Sequence, residues 1–245
     1  AVEREFLHPS KHRPHYLDRI SIVRALRELH HRVTPGLLLD VGCGMKPYQR
    51  LLTQRGSRYY GTDWPVTMEG SYGASTRADF FSDSMVLPFR EGTFDTVVST
   101  QMLEHVRQPE IVIPEMARVL KPDGILILSA PMTWPLHEEP HDYYRYTLHG
   151  LRHLLEEADF ELLDEIRRGN NWTTMAQMFL DTQVGNLGRR LPERVYTALV
   201  SFAVNHACSV ANLFKPVRRL CLGWVMAARK MSDGEASPPD IKSSL

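Results

Sequence analysis

Cysteine is scarce. The chain has three, Cys43, Cys208 and Cys221, and no two form a CxxC pair. That excludes a disulfide framework and a cysteine zinc site and points to a reducing, cytoplasmic setting. Excess charge of one sign is missing too. Twenty-nine basic residues balance twenty-nine acidic ones, so no global positive field neutralises a polyphosphate, and nucleic acid is a poor partner. The first eleven residues, Ala1 to Lys11, are charged and lack an apolar centre, which excludes a signal peptide there. There are no internal repeats. What remains is an ordinary globular composition, 43% hydrophobic and 24% charged over 245 residues, enough for one large domain carrying an insertion.

Periodicity divides the chain. Residues 1–36 are dominated by one helix, with Leu17, Ile20, Val23, Leu26 and Leu29 at helical spacing within Tyr16–His31. The run Leu37–Val41 then reads as a buried parallel strand ending in Gly42-Cys43-Gly44. Pro47 and Gly56 bracket a helix. Further strands are expected at 59–63, at 78–81 and at Phe94–Thr100. A helix follows at Glu110–Leu120, with Pro114 in its first turn or kinking it. Lys121–Gly124 is a turn, Ile125–Ala130 a strand, and Thr147 the N-cap of a helix to Ala158. Phe160–Ile166 and Trp224–Ala228 complete the set. This alternation predicts an α/β fold, a mostly parallel sheet with helices on both faces. The organisation expected is a core over 37–169, a helical insertion over 170–220, a last core strand within 221–230 and a disordered tail at 231–245.

An open parallel sheet binds ligands at the carboxyl ends of its strands, so the residues after each apolar run carry the chemistry. Gly42 and Gly44 let the backbone turn sharply and approach a ligand. A dinucleotide site wants a third glycine, but Pro47 occupies that position, which argues against NAD. Asp63 ends the next strand, nineteen residues after Gly44, where a carboxylate can accept from both hydroxyls of a ribose. Trp64 offers a flat surface beside a base, or is a plain surface aromatic. Asp83 can accept from an exocyclic amine, with Asp79 as its competitor.

These segments together resemble class I S-adenosylmethionine-dependent methyltransferases of the small-molecule type. The resemblance rests on LLLDVGCG (Leu37–Gly44), Asp63, SDSMVLPF (Ser82–Phe89), FDTVVSTQMLEHV (Phe94–Val106) and ARVLKPDGILILSAP (Ala117–Pro131). It implies a seven-stranded Rossmann-like sheet whose last strand runs antiparallel between two others. It also implies a cofactor, S-adenosylmethionine, leaving as S-adenosylhomocysteine. The expected cofactor set is Asp40, Gly42, Cys43, Gly44, Asp63, Trp64, Asp83, Ser84, Thr100, Gln101 and Met102. Asp123 departs from the family pattern, which favours glycine there.

The acceptor side is the polar, aromatic run Trp134–Tyr146 after the fifth strand. His141, and His105 one turn into the helix after the fourth, are the candidate bases, since histidine titrates near neutrality. Tyr143, Tyr144 and Arg145 are the candidate acceptor contacts, with Asp142 or Arg145 as a structural tie in the alternative. His137, Glu138, His141 and Asp142 match no common zinc spacing, so no metal is expected. The H-D-Y-x-R run resembles a subgroup linked to sugar or surface-polysaccharide modification, so the acceptor expected is a small molecule or glycan methylated at O or N, or at C. The stretch Val195–Phe214 has no charge, but Asn205, His206, Ser209 and Asn212 interrupt it. That favours a packed helix, a substrate lid or a homodimer face over membrane contact. The rival readings are an NAD-dependent oxidoreductase and a non-catalytic S-adenosylmethionine-binding partner protein.

Overall fold

A computed structural model describes residues 2–64, 76–184, 191–214, 216–217 and 219–232. Seven strands form one sheet: β1 Leu37–Val41, β2 Arg58–Asp63, β3 Phe80–Phe81, β4 Phe94–Thr100, β5 Leu120–Pro131, β6 Phe160–Arg168 and β7 Gly223–Lys230. Their order is β3-β2-β1-β4-β5-β7-β6. The first five pair in parallel, and β7 runs antiparallel to both β5 and β6. This is the expected mostly parallel sheet with its last strand reversed. The order turns back between β1 and β4, and there the chain leaves a crevice at the carboxyl ends of the strands.

The apolar runs are continuous because both faces are covered. Leu39, Val97, Leu126 and Leu128 point into one core layer, which the helices α4 (Pro109–Val119) and α5 (Leu148–Glu156) close. Leu38, Val98, Ile125 and Ile127 point the other way, onto α1 (Val2–Leu7), α2 (Tyr16–Leu29) and α3 (Gln49–Leu52). Neighbouring residues of one strand thus serve opposite layers, as the two-residue period of a strand requires.

Several boundaries differ from the sequence reading. The N-terminal region carries two α-helices and a 3₁₀ turn, His30–Arg32. The helix after the glycine loop is a single turn, and β3 keeps only two residues. Pro114 falls past the first turn of α4, so that helix runs on with one backbone hydrogen bond fewer. The stretch 121–124 is drawn into β5 as a bulge: Leu120 pairs with Phe94 and Ile125 with Thr96. Asp123 takes the left-handed conformation there, φ 61°, which is why glycine suits that position.

Between β6 and β7 lie α6 (Asn171–Phe179), a π-helical turn at Leu180–Val184 and α7 (Leu191–Ala211). They pack on the N-terminal segment. The Asn205 amide donates to the carbonyls of Lys11 and Arg13, and that of Gln177 donates to the Pro14 carbonyl. Asn205 interrupts the apolar run because it makes this clasp. No helix of the described residues is long and apolar enough to cross a membrane. The expected tail lies outside the described residues beyond Ser232.

Candidate active site

The glycine turn is built by two demands. The N–H groups of Gly42 and Cys43 both donate to the Thr62 carbonyl at the end of β2, at 2.9 and 3.1 Å. Gly42 stands at φ 74°, and a Cβ there would lie 2.4 Å from the Met102 side chain. Gly44, at φ 47°, faces open space instead. The sulfur of Cys43 is buried beneath Gly61, where a Cβ would meet it at 2.6 Å. Its thiol is pushed up by burial, so Cys43 serves the site with its backbone.

Asp63 closes the turn. Its Oδ2 accepts from the Gly44 N–H at 3.0 Å and from the Thr76 hydroxyl at 3.1 Å, and its Oδ1 accepts from the Trp64 N–H at 2.9 Å. Thr76 has one hydrogen and a second acceptor, the Gly44 carbonyl, also at 3.1 Å. A carboxylate has about four acceptor sites. With Thr76 turned to Gly44, two remain on Asp63, as many as a ribose diol needs.

Of the two acids that flank β3, Asp79 is committed elsewhere. It accepts from Lys46 Nζ at 2.5 Å and from the Gly61 N–H at 2.8 Å. Asp83 is exposed, and among the described residues only its Oδ1 is engaged, by the Met85 N–H at 2.9 Å. Ser84, half-buried, follows in the same turn. Sequence reasoning missed Lys46, a buried cation that passes under Gly61 to reach Asp79. A glycine inside a strand marks such close approaches, and Gly61 was that signal.

Asp40 is almost wholly buried. The Tyr59 hydroxyl donates to its Oδ2, while Oδ1 has no partner. Burial pushes this carboxyl up to about 7, and the neighbouring Asp63 adds to the rise. At the end of β4, beyond half-buried Thr100, Gln101 adopts φ 52° and its amide donates to Ser129. That bend sends Met102 over Gly42.

The expected acceptor side is a clasp between the turn after β4 and the loop after β5. The N–H groups of Tyr143 and Tyr144 donate to the Glu104 carbonyl, the Tyr146 hydroxyl donates to that of Leu103, and the Tyr144 hydroxyl to that of Arg107. Arg107 Nε donates to the Tyr143 hydroxyl. His105 lies in a 3₁₀ turn, Leu103–His105, ahead of α4 and not inside that helix. Its Nδ1 meets the His141 carbonyl at 2.7 Å. The His141 ring lies edge-on to Trp64 at 5.3 Å between centroids, joining the two halves of the crevice. Its Nδ1 is 3.1 Å from the Tyr143 hydroxyl.

Arg145, a candidate acceptor contact or structural tie by sequence, spends its hydrogens within the loop. Nε donates to Trp134, Nη1 to Asp142 and the Tyr144 carbonyl, and Nη2 to Asp142 and the Pro135 carbonyl. A guanidinium has five donors, so Arg145 is a tie. Burial alone would raise the Asp142 carboxyl. The hydrogen bonds from Arg145 and the His137 N–H outweigh it and bring Asp142 down to about 2. Beside them, Glu104 is buried with Oε2 unpartnered, and burial pushes its carboxyl up to about 8. Burial and the neighbouring His105 hold the His137 imidazole below its ordinary value.

The fold and the position of this crevice define the class: a Rossmann-like, class I methyltransferase fold. Residues 39–128 match the family described as "Methyltransferase domain". Among curated proteins it is 33% identical over 116 residues to an uncharacterized methyltransferase of Mycobacterium sp. (strain KMS), covering 46% of each. It is 34% identical over 122 residues to another from Mycobacterium leprae (strain TN), covering 46% of this chain and 44% of that one. The chain thus spans less than half the length of these relatives. Among solved structures, the [4+2]-cyclase SpnF superposes with a TM-score of 0.55 at 24% identity, over 85% of this chain and 82% of the other. The Burkholderia thailandensis 1,6-didemethyltoxoflavin-N1-methyltransferase, solved with bound 1,6-didemethyltoxoflavin and S-adenosylhomocysteine, gives 0.53 at 18% identity, over 86% and 79%.

Proposed function

We propose that the chain is an S-adenosylmethionine-dependent methyltransferase that acts on an oxygen or nitrogen of a small-molecule or glycan-type acceptor. One observation carries the reading: Asp63 is fastened to the Gly44 N–H at the switch point of the sheet, with two acceptor sites to offer. Asp63 would take the ribose hydroxyls, Asp83 the adenine amine, and the backbone of Gly42–Gly44 the amino-acid end. The bound cofactor supplies an activated methyl group on a sulfonium. The protein's part is to hold the acceptor in line and dry. Trp64 and His141 meet where the two ligands adjoin. His105 gives its Nδ1 hydrogen to a carbonyl, which leaves a lone pair on Nε2.

Neighbours with this fold include a cyclase, so turnover has to be shown as well as binding. Calorimetric titration with S-adenosylhomocysteine is expected to show one site. Asp63→Ala is expected to lose on the order of 10–100-fold in affinity, since hydrogen bonds to a charged group contribute about 1.5–3 kcal/mol. NAD is expected to give no heat. Unchanged affinity in Asp63→Ala would sink the reading. Methyl transfer by the purified chain in an acceptor screen separates an enzyme from a binding partner.

A further inference from the structure

Glu104, His105 and His137 each bring one ligand-capable atom to a common point, all within 4.8 Å of one another. His105 Nε2 lies 3.9 Å from Glu104 Oε1 and 3.7 Å from Glu138 Oε2. Neither distance is a hydrogen bond. Both are close to the roughly 3.4 Å that separates two ligands of one ion bound at about 2.0–2.2 Å. The two imidazoles are also prepared in the same way. His105 spends its Nδ1 hydrogen on the His141 carbonyl at 2.7 Å. His137 turns Nδ1 to the Pro135 carbonyl at 3.2 Å and to Asp142 at 3.3 Å. In each ring Nε2 is then left as the bare donor, with an oxygen behind the ring, the arrangement that orients metal-bound histidines. An independent observation is Glu104 itself. It is 1% exposed, and its Oε2 meets no hydrogen-bond donor. A buried carboxylate without a partner is costly, and a cation beside it removes that cost.

We propose that Glu104, His105 and His137 bind one divalent first-row transition ion, with Glu138 at its margin and an open position for an oxygen of the acceptor. Two imidazoles and one carboxylate suit zinc or its substitute cobalt better than magnesium, calcium or manganese, which prefer oxygen sets. The expectation of no metal rested on spacing within 137–142. This set draws on two segments 32 residues apart, which local spacing cannot show.

The test uses the full chain after dialysis against a chelator. Titration with Co²⁺ is expected to give visible d–d absorption saturating at one ion per chain, displaced by Zn²⁺. His137→Gln and Glu104→Gln are each expected to weaken the ion at least 10-fold, since loss of even a residue behind a ligand typically costs about 10–100-fold, while His153→Gln, at an exposed position on α5, leaves it unchanged. Because His105 supports the clasp, far-ultraviolet dichroism accompanies each variant, and the wild-type titration stands regardless of how the variants fold. No absorption with the wild-type chain, or absorption that survives in the His105→Gln, His137→Gln double variant, would overturn the proposal. S-adenosylhomocysteine binding is read on the same samples, so a chain that takes the nucleoside but no ion rejects the cation site alone.

Discussion

Asp40 keeps Oδ2 on the Tyr59 hydroxyl while Oδ1 lies buried with no partner. Its carboxyl titrates near 7, far above the ordinary carboxylate. Between about pH 4 and pH 7 the folded chain therefore holds a proton that the unfolded chain has released. By linkage, this group makes stability fall as pH rises through that window and levels off above it. Asp40→Asn is expected to raise the melting temperature relative to wild type at pH 8 and to change it little at pH 4, read by thermal denaturation at both values. That Gly44 and Asp63 stand together was legible in sequence, because each follows the apolar run of a neighbouring strand. The fates of Asp79 and Arg145 were not. An acid facing Lys46 and an acid facing solvent look the same in a string of letters, and so do a guanidinium with free donors and one with none.

Thr147 marks where element boundaries could be read in advance. Its hydroxyl accepts from the Gly150 N–H at 3.0 Å and starts α5, as the sequence indicated. Thr147→Ala is expected to cost about 1 kcal/mol, the usual value of an N-cap, seen as a lower urea midpoint with an unchanged slope. The long apolar strands were equally plain, since burial on both faces leaves no polar interruptions. The bulged start of β5 was not, because Lys121–Gly124 has the letters of a turn and keeps one at Asp123 while still joining the ladder. His105 was misplaced for a similar reason. A single 3₁₀ turn has no room to develop a period.

The N-terminal segment, the insertion and the far edge of the sheet are held together by buried polar contacts. Arg168, at the end of β6, pairs with Asp18 of α2 and donates through Nε to Ser21. Its side chain is almost fully enclosed. Arg168→Ala is expected to cost roughly 3–5 kcal/mol, because it leaves Asp18 facing the void without its cation; urea unfolding measures the loss. None of this was visible in sequence, where Asp18 and Arg168 are separated by most of the chain and neither belongs to a motif. The strand order has a further consequence. Among the described residues the sole strand beside β6 is β7, and 54 residues separate the end of the one, Arg168, from the start of the other, Gly223. During synthesis, the growing polypeptide must therefore carry β6 as an open ribbon until the wedge between it and β5 has emerged. Ribosome-bound intermediates halted before Gly223 leave one edge of β5 and both edges of β6 unpaired, and chaperone demand should peak there.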